Sequence, residues 1–457
     1  MATKQPEAAR AGRKEAAAKP ARRSLPQGGL DRFFGLTAAG SSVPTELRAG
    51  LATFLTMAYI MFVNPAILEK AGMDQGAVFV ATCLAAAAGS AIMGLYANYP
   101  IALAPGMGLN AYFAFTMVPE LGGNWQLALA IVFVSGVLFF ALSLSPLRAW
   151  LIDAIPMSLK LGIAAGIGFF LALIGLQNAG IVADQPVTLV TLGDLSKPQA
   201  LLAAAGFLII AALAVRKVPG AIIVGVLAVT IVAAAIGLEP WHGIAAPPPP
   251  LTPTFLKLDF GGILKLGSIV MMLTLLLVTI LDTAGTLIGV ARQAGLLDEE
   301  GKLPRLRQAL LADSGSAALG ALFGTSTNTA YIESAAGVEE GGRTGLAALV
   351  VAVLFLLSLF FAPLAESVPG YATAPALFFV ACLMAASFGA LRFDDATDYI
   401  PALIIALLMP LTYSIATGIG LGFIAYVALK ALTGRIGEIN LAVAVIAAAF
   451  LLKLIFA

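Results

Sequence analysis

"GTSTNTAYIESAAGV", residues 324–338, is a polar stretch set between two long apolar runs. It holds Thr325, Ser326, Thr327, Asn328, Thr329, Ser334 and one carboxylate, Glu333. Apolar runs of about 17–25 residues are long enough to cross a bilayer as helices. Thr and Ser inside such a run weaken the helix, through β-branching and through side chains that compete for backbone groups. Backbone that is not helical cannot face lipid, because its N–H and C=O groups would be unpaired; it survives only inside protein or along a wet cavity. The stretch therefore reads as a broken span in the interior of a polytopic helical membrane protein.

Composition agrees. The chain has 457 residues, is 60% hydrophobic and 11% charged, and has a mean hydropathy of +0.97. An ordinary soluble domain is about 25% charged. The short alternating segments of an outer-membrane barrel are absent. Cys83 and Cys382 lie in apolar runs and read as small packing residues, not as a disulfide or metal pair. His242 is the single histidine, and no His/Cys/carboxylate cluster has metal-ligand spacing. Neither a metal nor a cofactor is expected. Residues 1–43 are rich in Ala, Lys and Arg without an apolar core, which excludes a cleaved signal peptide. Up to Arg32 they carry eight Lys/Arg and three Asp/Glu, a net of +5 (8 − 3). The reading is a disordered basic tail held in the cytoplasm, in preference to a nucleic-acid-binding arm.

Candidate spans fall near 46–68, 76–96, a broken 101–118, 125–145, 158–180, 199–215, 219–238, 266–290, 306–323, a broken 325–338, 344–366, 373–391, 399–412, 414–432 and 440–457. The first fourteen form two groups of seven. The last either crosses once more or packs against the bundle. With the N-terminus cytoplasmic, Arg216, Lys217, Arg292, Lys302, Arg305, Arg307, Lys430 and Arg435 fall in cytoplasmic connections, while Asp184 and Asp194 fall outside. This obeys the positive-inside rule.

Three segment pairs suggest an internal duplication. "LTMAYIMFVNPA" (55–66) resembles "LTLLLVTILDTA" (273–284), offset 218 (273 − 55). "GSAIMGLY" (89–96) resembles "GSAALGAL" (315–322), offset 226 (315 − 89). "LNAYF" (109–113) resembles "NTAYI" (328–332), offset 219 (328 − 109). A unit of seven spans is odd, so the second copy inserts upside down, as in secondary transporters whose substrate site lies where the repeats meet. The third span of the first copy, "APGMGLNAYFAF" (104–115), is also broken, by Pro105, Gly106 and Gly108. The two breaks are expected to face each other in the interior, with short helices aiming N–H groups into a cavity.

Glu333 is then half of a binding site or, alternatively, a solvated group at a membrane edge; a mid-membrane charge costs about 3 kcal/mol on insertion scales. Most of the hydroxyls around Thr327 and Asn328 are expected to satisfy local backbone, with about two left for a ligand. Asp282, whose counterpart is Asn64, is either a structural hydrogen-bonder or a group that takes up and releases a proton. Thr279 and Thr286 share its helix face. Asn110 offers a donor and an acceptor. Phe113 and Phe115 either stack on a flat ligand or pack.

The segments "LDRFFGL", "LRAGLATFLTMAYIMFVNPAIL", "APGMGLNAYFAFT", "LDTAGTLIGVARQAG", "GTSTNTAYIESAAGVEEGGRTGL" and "MPLTYSIATGIGLGFIAYV" resemble the AzgA-like purine permease branch of the nucleobase:cation symporter-2 family. The resemblance covers roughly residues 30–435. It implies an all-α fold of fourteen spans in two inverted repeats of seven, with extended stretches in spans 3 and 10. It also implies a core domain (44–145 and 266–366) and a gate domain (146–265 and 367–457), with several members dimerising through the gate. Members of this branch carry adenine, guanine or hypoxanthine with protons. The family's base-binding carboxylate of span 10 falls on Glu333, its span 8 carboxylate on Asp282, and its span 3 asparagine on Asn110. Many members carry a second aspartate three residues before position 282; here it is Thr279. The span 8 histidine of uracil-type members is absent.

The expectation is a transporter, not an enzyme, in a bacterial inner membrane with the N-terminus cytoplasmic. It imports a purine base with a proton and involves no nucleic acid. Glu333, Asn110, Asp282, Thr279, Thr327, Asn328 and Phe113 line the site, and Asp282 and Glu333 couple the proton. The alternatives are a uracil or xanthine permease of the same fold, an anion transporter of related architecture, a membrane enzyme with an Asp282/Glu333 acid–base pair, and a passive channel.

Overall fold

Each long apolar run becomes a helix in the computed structural model, which describes residues 28–145, 154–298 and 303–456. Polar residues at the run edges start these helices by accepting hydrogen bonds from first-turn N–H groups. Ser42 caps α2 (Val43–Met57), which continues after a turn as α3 (Ile60–Glu69). Asp74 caps α4 (Gln75–Ile92) and Asn124 caps α6 (Trp125–Leu144). The remaining helices of the first repeat are α7 (Met157–Asn178), α8 (Pro198–Val215) and α9 (Ala221–Ala235). Those of the second are α10 (Leu266–Gln293), α11 (Leu306–Phe323), α13 (Gly345–Ser358), α14 (Gly370–Ala385), α15 (Ala396–Leu411) and α16 (Ile415–Leu432). Among the described residues, nine helices are long and apolar enough to cross a membrane.

The two broken spans meet. Strand β1 (Leu103–Pro105) leads into the short helix α5 (Met107–Tyr112), and β4 (Asn328–Ala330) leads into α12 (Ser334–Glu339). The strands pair antiparallel, Leu103 with Ala330, Ala104 with Thr329 and Pro105 with Asn328, and all six residues are buried. The pairing satisfies backbone groups that would otherwise be orphaned at membrane depth. Gly106 N–H donates to Thr327 O at 3.0 Å and Tyr331 N–H to Ala102 O at 3.0 Å, extending the ladder at both ends. A second hairpin, β2 (Val182–Gln185) and β3 (Leu189–Leu192), lies between α7 and α8.

The geometry corrects one of the three repeat alignments. The short helices begin at Met107 and Ser334, an offset of 227 (334 − 107). Ser90 and Ser316, offset 226 (316 − 90), clamp equivalent strands: Ser90 exchanges hydrogen bonds with Leu103, and Ser316 accepts from Asn328 Nδ2. At offset 219 "LNAYF" matches "NTAYI" in letters only. Asn110 sits within α5, whereas Asn328 opens β4, six residues before α12 (334 − 328).

The helices form two packing groups. In one, α2 and α4 pack on α13, and α11 packs on α4 and α6, with α10 beside α6. In the other, α7 packs on α14 and α15, α8 on α9 and α14, and α15 on α16. The surplus segment is a helix, α17 (Leu441–Phe456), laid against both α16 and α10. It starts beside the Arg435–Glu438 ion pair on the face where α2 begins. Near its other end, Lys453 pairs with Glu120 at 2.9 Å on the opposite face. Sixteen helical residues span about 24 Å, so the segment runs through the depth of the bundle.

Residues 1–27 lie outside the described residues, and 28–42 are built into the fold. A short helix, α1 (Gly29–Phe34), precedes a turn in which Thr37 donates to Asp31 from both N–H and Oγ1, at 2.8 and 2.6 Å. Phe34 and Leu36 bury against Leu346, and Asn98 Nδ2 holds Phe34 O at 2.9 Å. Apolar contact and paired backbone offset the ordering entropy here.

Candidate functional site

Thr and Asn side chains occupy the strand crossing because the two strands there approach closely and most of their polar groups find partners. Ser326 Oγ donates to Asn110 Oδ1, tying the second broken span to α5. Asn64 Nδ2 donates to Thr325 Oγ1 at 2.8 Å and to Thr82 Oγ1 at 2.7 Å. Tyr331 OH donates to Pro105 O at 2.5 Å, and Ser334 Oγ accepts from Ala102 N–H at 3.0 Å. The crossing is thus a hydrogen-bonded plate, rigid enough to hold a ligand in one orientation.

Two carboxylates border it. Glu333 stands immediately before α12, and its Oε1 accepts the Tyr59 hydroxyl at 2.6 Å, while Thr56 Oγ1 donates to Glu333 O at 3.2 Å. Asp282 in α10 accepts from Thr329 Oγ1 at 3.2 Å, directly on β4. Both carboxylates are half-buried and lie within electrostatic reach of each other. A third carboxylate, Asp313 in α11, is fully buried. Its Oδ2 accepts from Thr283 Oγ1 at 2.7 Å, and Thr283 Oγ1 lies 3.2 Å from Thr329 Oγ1. Asp282, Thr329, Thr283 and Asp313 therefore form one continuous chain of oxygens. Among the described residues no group of three His, Cys, Asp or Glu is placed to hold a metal ion.

Of the residues expected at the site, the structure brings Glu333, Asp282 and Asn110 to the crossing. Asn110 Nδ2 and Thr327 Oγ1 are buried without a partner among the described residues. Such groups are rare and usually meet a ligand or water. The other three make contacts within the scaffold, and Asn328 Oδ1 is likewise buried without a partner among the described residues. Thr279 donates to Leu275 O at 2.7 Å, its own helix, and is buried. Asn328 Nδ2 donates to Ala85 O and Ser316 Oγ at 2.8 and 2.7 Å, fixing β4 to α4 and α11. Phe113 is only 1% exposed and packs in the core.

Tyr59, Thr283 and Asp313 were not anticipated. Asp313, in "LLADSGSA", carried the same signal as Asp282: one carboxylate inside an apolar run. Tyr59, in "TMAYIMF", looked like a packing aromatic; only the chain break after Met57 turns it toward Glu333.

The helix that carries Asp282 is exposed unequally on its two sides. From Asp282 toward the face where α2 begins, α10 exposes Gly285, Ile288, Gly289, Arg292 and Gln293, and Ile332 beside Glu333 is 57% exposed. Toward the opposite face, residues 270–280 of α10 are buried apart from Leu273.

Residues 44–453 match the Permease family. Adenine permease AdeP of Escherichia coli (strain K12) is 47% identical over 94% of this chain and 97% of that protein. Guanine/hypoxanthine permease PbuO of Bacillus subtilis (strain 168) is 48% identical over 92% of this chain and 99% of that protein. Among solved structures, the transmembrane domain of a cyanobacterium bicarbonate transporter, BicA, shares the fold. Its TM-score is 0.62 at 18% identity, covering 82% of this chain and 97% of that one.

Proposed function

Because this chain belongs to the Permease family, we propose that it carries a neutral purine nucleobase across the membrane together with a proton. The relatives that transport adenine, guanine and hypoxanthine by name support the cargo class. The observation that carries the reading is the strand crossing bordered by Glu333 and Asp282, with buried unpaired polar atoms on Asn110 and Thr327. A purine edge presents adjacent N–H donors and ring-nitrogen acceptors. Glu333 accepts from the donors, and Asn110 Nδ2 donates to a ring nitrogen. Tyr59 holds the Glu333 carboxylate in place for this contact.

Asp282 takes up the co-transported proton. When it is protonated it donates to Thr329, Thr329 donates to Thr283, and Thr283 donates to Asp313. Each hydroxyl has one proton, so the chain passes a proton between the two carboxylates without moving a heavy atom. Binding of base and proton biases the equilibrium between two arrangements of the helix groups through differential affinity. The group of α2, α4, α6, α10, α11 and α13 is the mobile core, and the group of α7–α9 and α14–α16 is the gate. Two copies pair through the gate, where α8 exposes Leu201 and Leu208.

The face where α2 begins is cytoplasmic in a bacterial inner membrane. Arg216, Lys217, Arg305, Arg307 and Arg435 lie there, against Asp184, Asp194 and Asp259 on the other face. An anion as cargo is disfavoured, because Glu333 and Asp282 would repel it.

The test is uptake of radiolabelled adenine by proteoliposomes under an inward-acid pH gradient, with unlabelled purines, pyrimidines and bicarbonate as competitors. Competition by purines alone is expected. Competition by uracil or bicarbonate in place of purines overturns the assignment.

A further inference from the structure

One residue bridges the two helix groups on the face opposite the α2 start. Tyr413 lies between α15 and α16, just before the α16 cap Ser414. Its φ is +53°. This left-handed residue ends α15 as a cap, with Ser414 N–H donating to Met409 O at 3.1 Å, and leaves the side chain free to make contacts of its own.

Those contacts reach in two directions. Within the gate group, Tyr413 OH donates to Gln177 Oε1 at 3.0 Å, and its ring meets Phe170 edge-on at 5.3 Å, both on α7. Across the boundary, the same ring meets Phe115 edge-on at 6.0 Å, and Tyr413 O accepts from Thr116 Oγ1 at 3.5 Å. Phe115 and Thr116 lie in a π-helical turn, Phe113–Met117, directly after α5. A π-turn is rare and commonly marks a functional site, since its extra residue re-aims the side chains that follow. Here it presents Phe115 to the gate group while Phe113 stays in the core. Toward the other face α10 is exposed at small residues. A Cβ on Gly285 or Gly289 would meet nothing within 4 Å.

We propose that Tyr413 is the latch of the outer gate, a positioning residue that holds the helix groups together on the face opposite the α2 start while the substrate site is open on the other. Opening that face requires Phe115 and Thr116 to leave Tyr413, while Gln177 and Phe170 retain it. The latch rests on the reading that the two groups move during transport, and is indifferent to which cargo they carry.

Single-thiol full-length protein tests it, with Cys83→Ala and Cys382→Ala as background and a membrane-impermeant maleimide as probe. Thr116→Cys reports the latched face and Gly289→Cys the open one, and neither measurement requires substrate. Phe115→Ala removes the ring that meets Tyr413 across the boundary and leaves the Gln177 and Phe170 contacts in place. Loss of an edge-on aromatic pair present only in the latched state shifts a two-state equilibrium about fivefold. The Thr116→Cys thiol should therefore label about fivefold faster from the latched face, while labelling of the Gly289→Cys thiol does not rise. Tyr413→Ala should show the same asymmetry more strongly. Unchanged labelling at Thr116→Cys, or acceleration at both positions together, which signals general loosening, overturns the latch. Failure of purine uptake with this asymmetry intact would refute the cargo and leave the latch standing.

Discussion

Replacing Glu333 by Gln should weaken base binding while leaving the fold as stable or more so. The amide is isosteric, and its carbonyl oxygen still accepts the Tyr59 hydroxyl, now 2.6 Å from Oε1. What changes is the acceptor offered to the base. A hydrogen bond to a charged group contributes about 1.5–3 kcal/mol, and a neutral one about 0.5–1.5. The new NH₂ also turns a donor toward the donors of the base. Over one or two contacts the loss is about 1.5–3 kcal/mol, or about 10- to 150-fold in Kd. Stability moves the other way, because removing a charge at membrane depth relieves an insertion cost of about 3 kcal/mol. Equilibrium binding of labelled adenine, guanine and hypoxanthine to purified protein, together with a thermal melt, reads both signs. A Kd within about twofold of the parent's, with the melt preserved, would show that Glu333 does not contact the base.

Asp282→Asn should abolish accumulation of base against a gradient while counterflow exchange continues, since the amide cannot cycle a proton; a variant that still accumulates base would place coupling elsewhere. Thr283→Val removes the central hydroxyl of the chain from Asp282 to Asp313 and should slow proton-driven uptake at least about tenfold with base affinity unchanged. An unaltered rate at saturating base would show that Asp313 is outside the relay. Outside the membrane-spanning segments, Asp395 is held below the usual carboxylate range by the Thr397 hydroxyl and then by Arg435, and Glu438 is lowered by Arg435. A depressed folded value contributes stability above the ordinary value of about 4 that is lost as pH falls through the folded one. The melting temperature should therefore fall progressively below about pH 5, with most of the loss under about pH 4, and fall less in Asp395→Asn; parallel curves would refute this.

Sequence reasoning reached the fold because membrane spans declare themselves through length, apolarity and flanking charge. The broken spans declared themselves because polar backbone at that depth has few permitted places. Glu333 and Asp282 stood out because a lone carboxylate in an apolar run has few structural excuses, and the structure sets both beside the crossing. Asp313 carries the same signal and joins Asp282 through Thr283 and Thr329, but no motif drew attention to it. Tyr59 was illegible, as its role depends on a chain break that the apolar pattern hides. Thr279, Asn328 and Phe113 were assigned to the ligand by position. In the structure Thr279 Oγ1, Asn328 Nδ2 and the Phe113 ring contact the scaffold, while Asn328 Oδ1 is without a partner among the described residues. The alignment of "LNAYF" with "NTAYI" failed because five letters can match across elements of different kind; only the strand register fixed the offset.

The most direct test of the carboxylate-bordered crossing as a base-and-proton site is the internal pH of proteoliposomes carrying a trapped pH-sensitive dye, followed as a purine base is added outside. Entry of base should acidify the lumen with the parent protein, and both signals should fail with Asp282→Asn. Base that enters while the internal pH stays flat would contradict proton symport through this site.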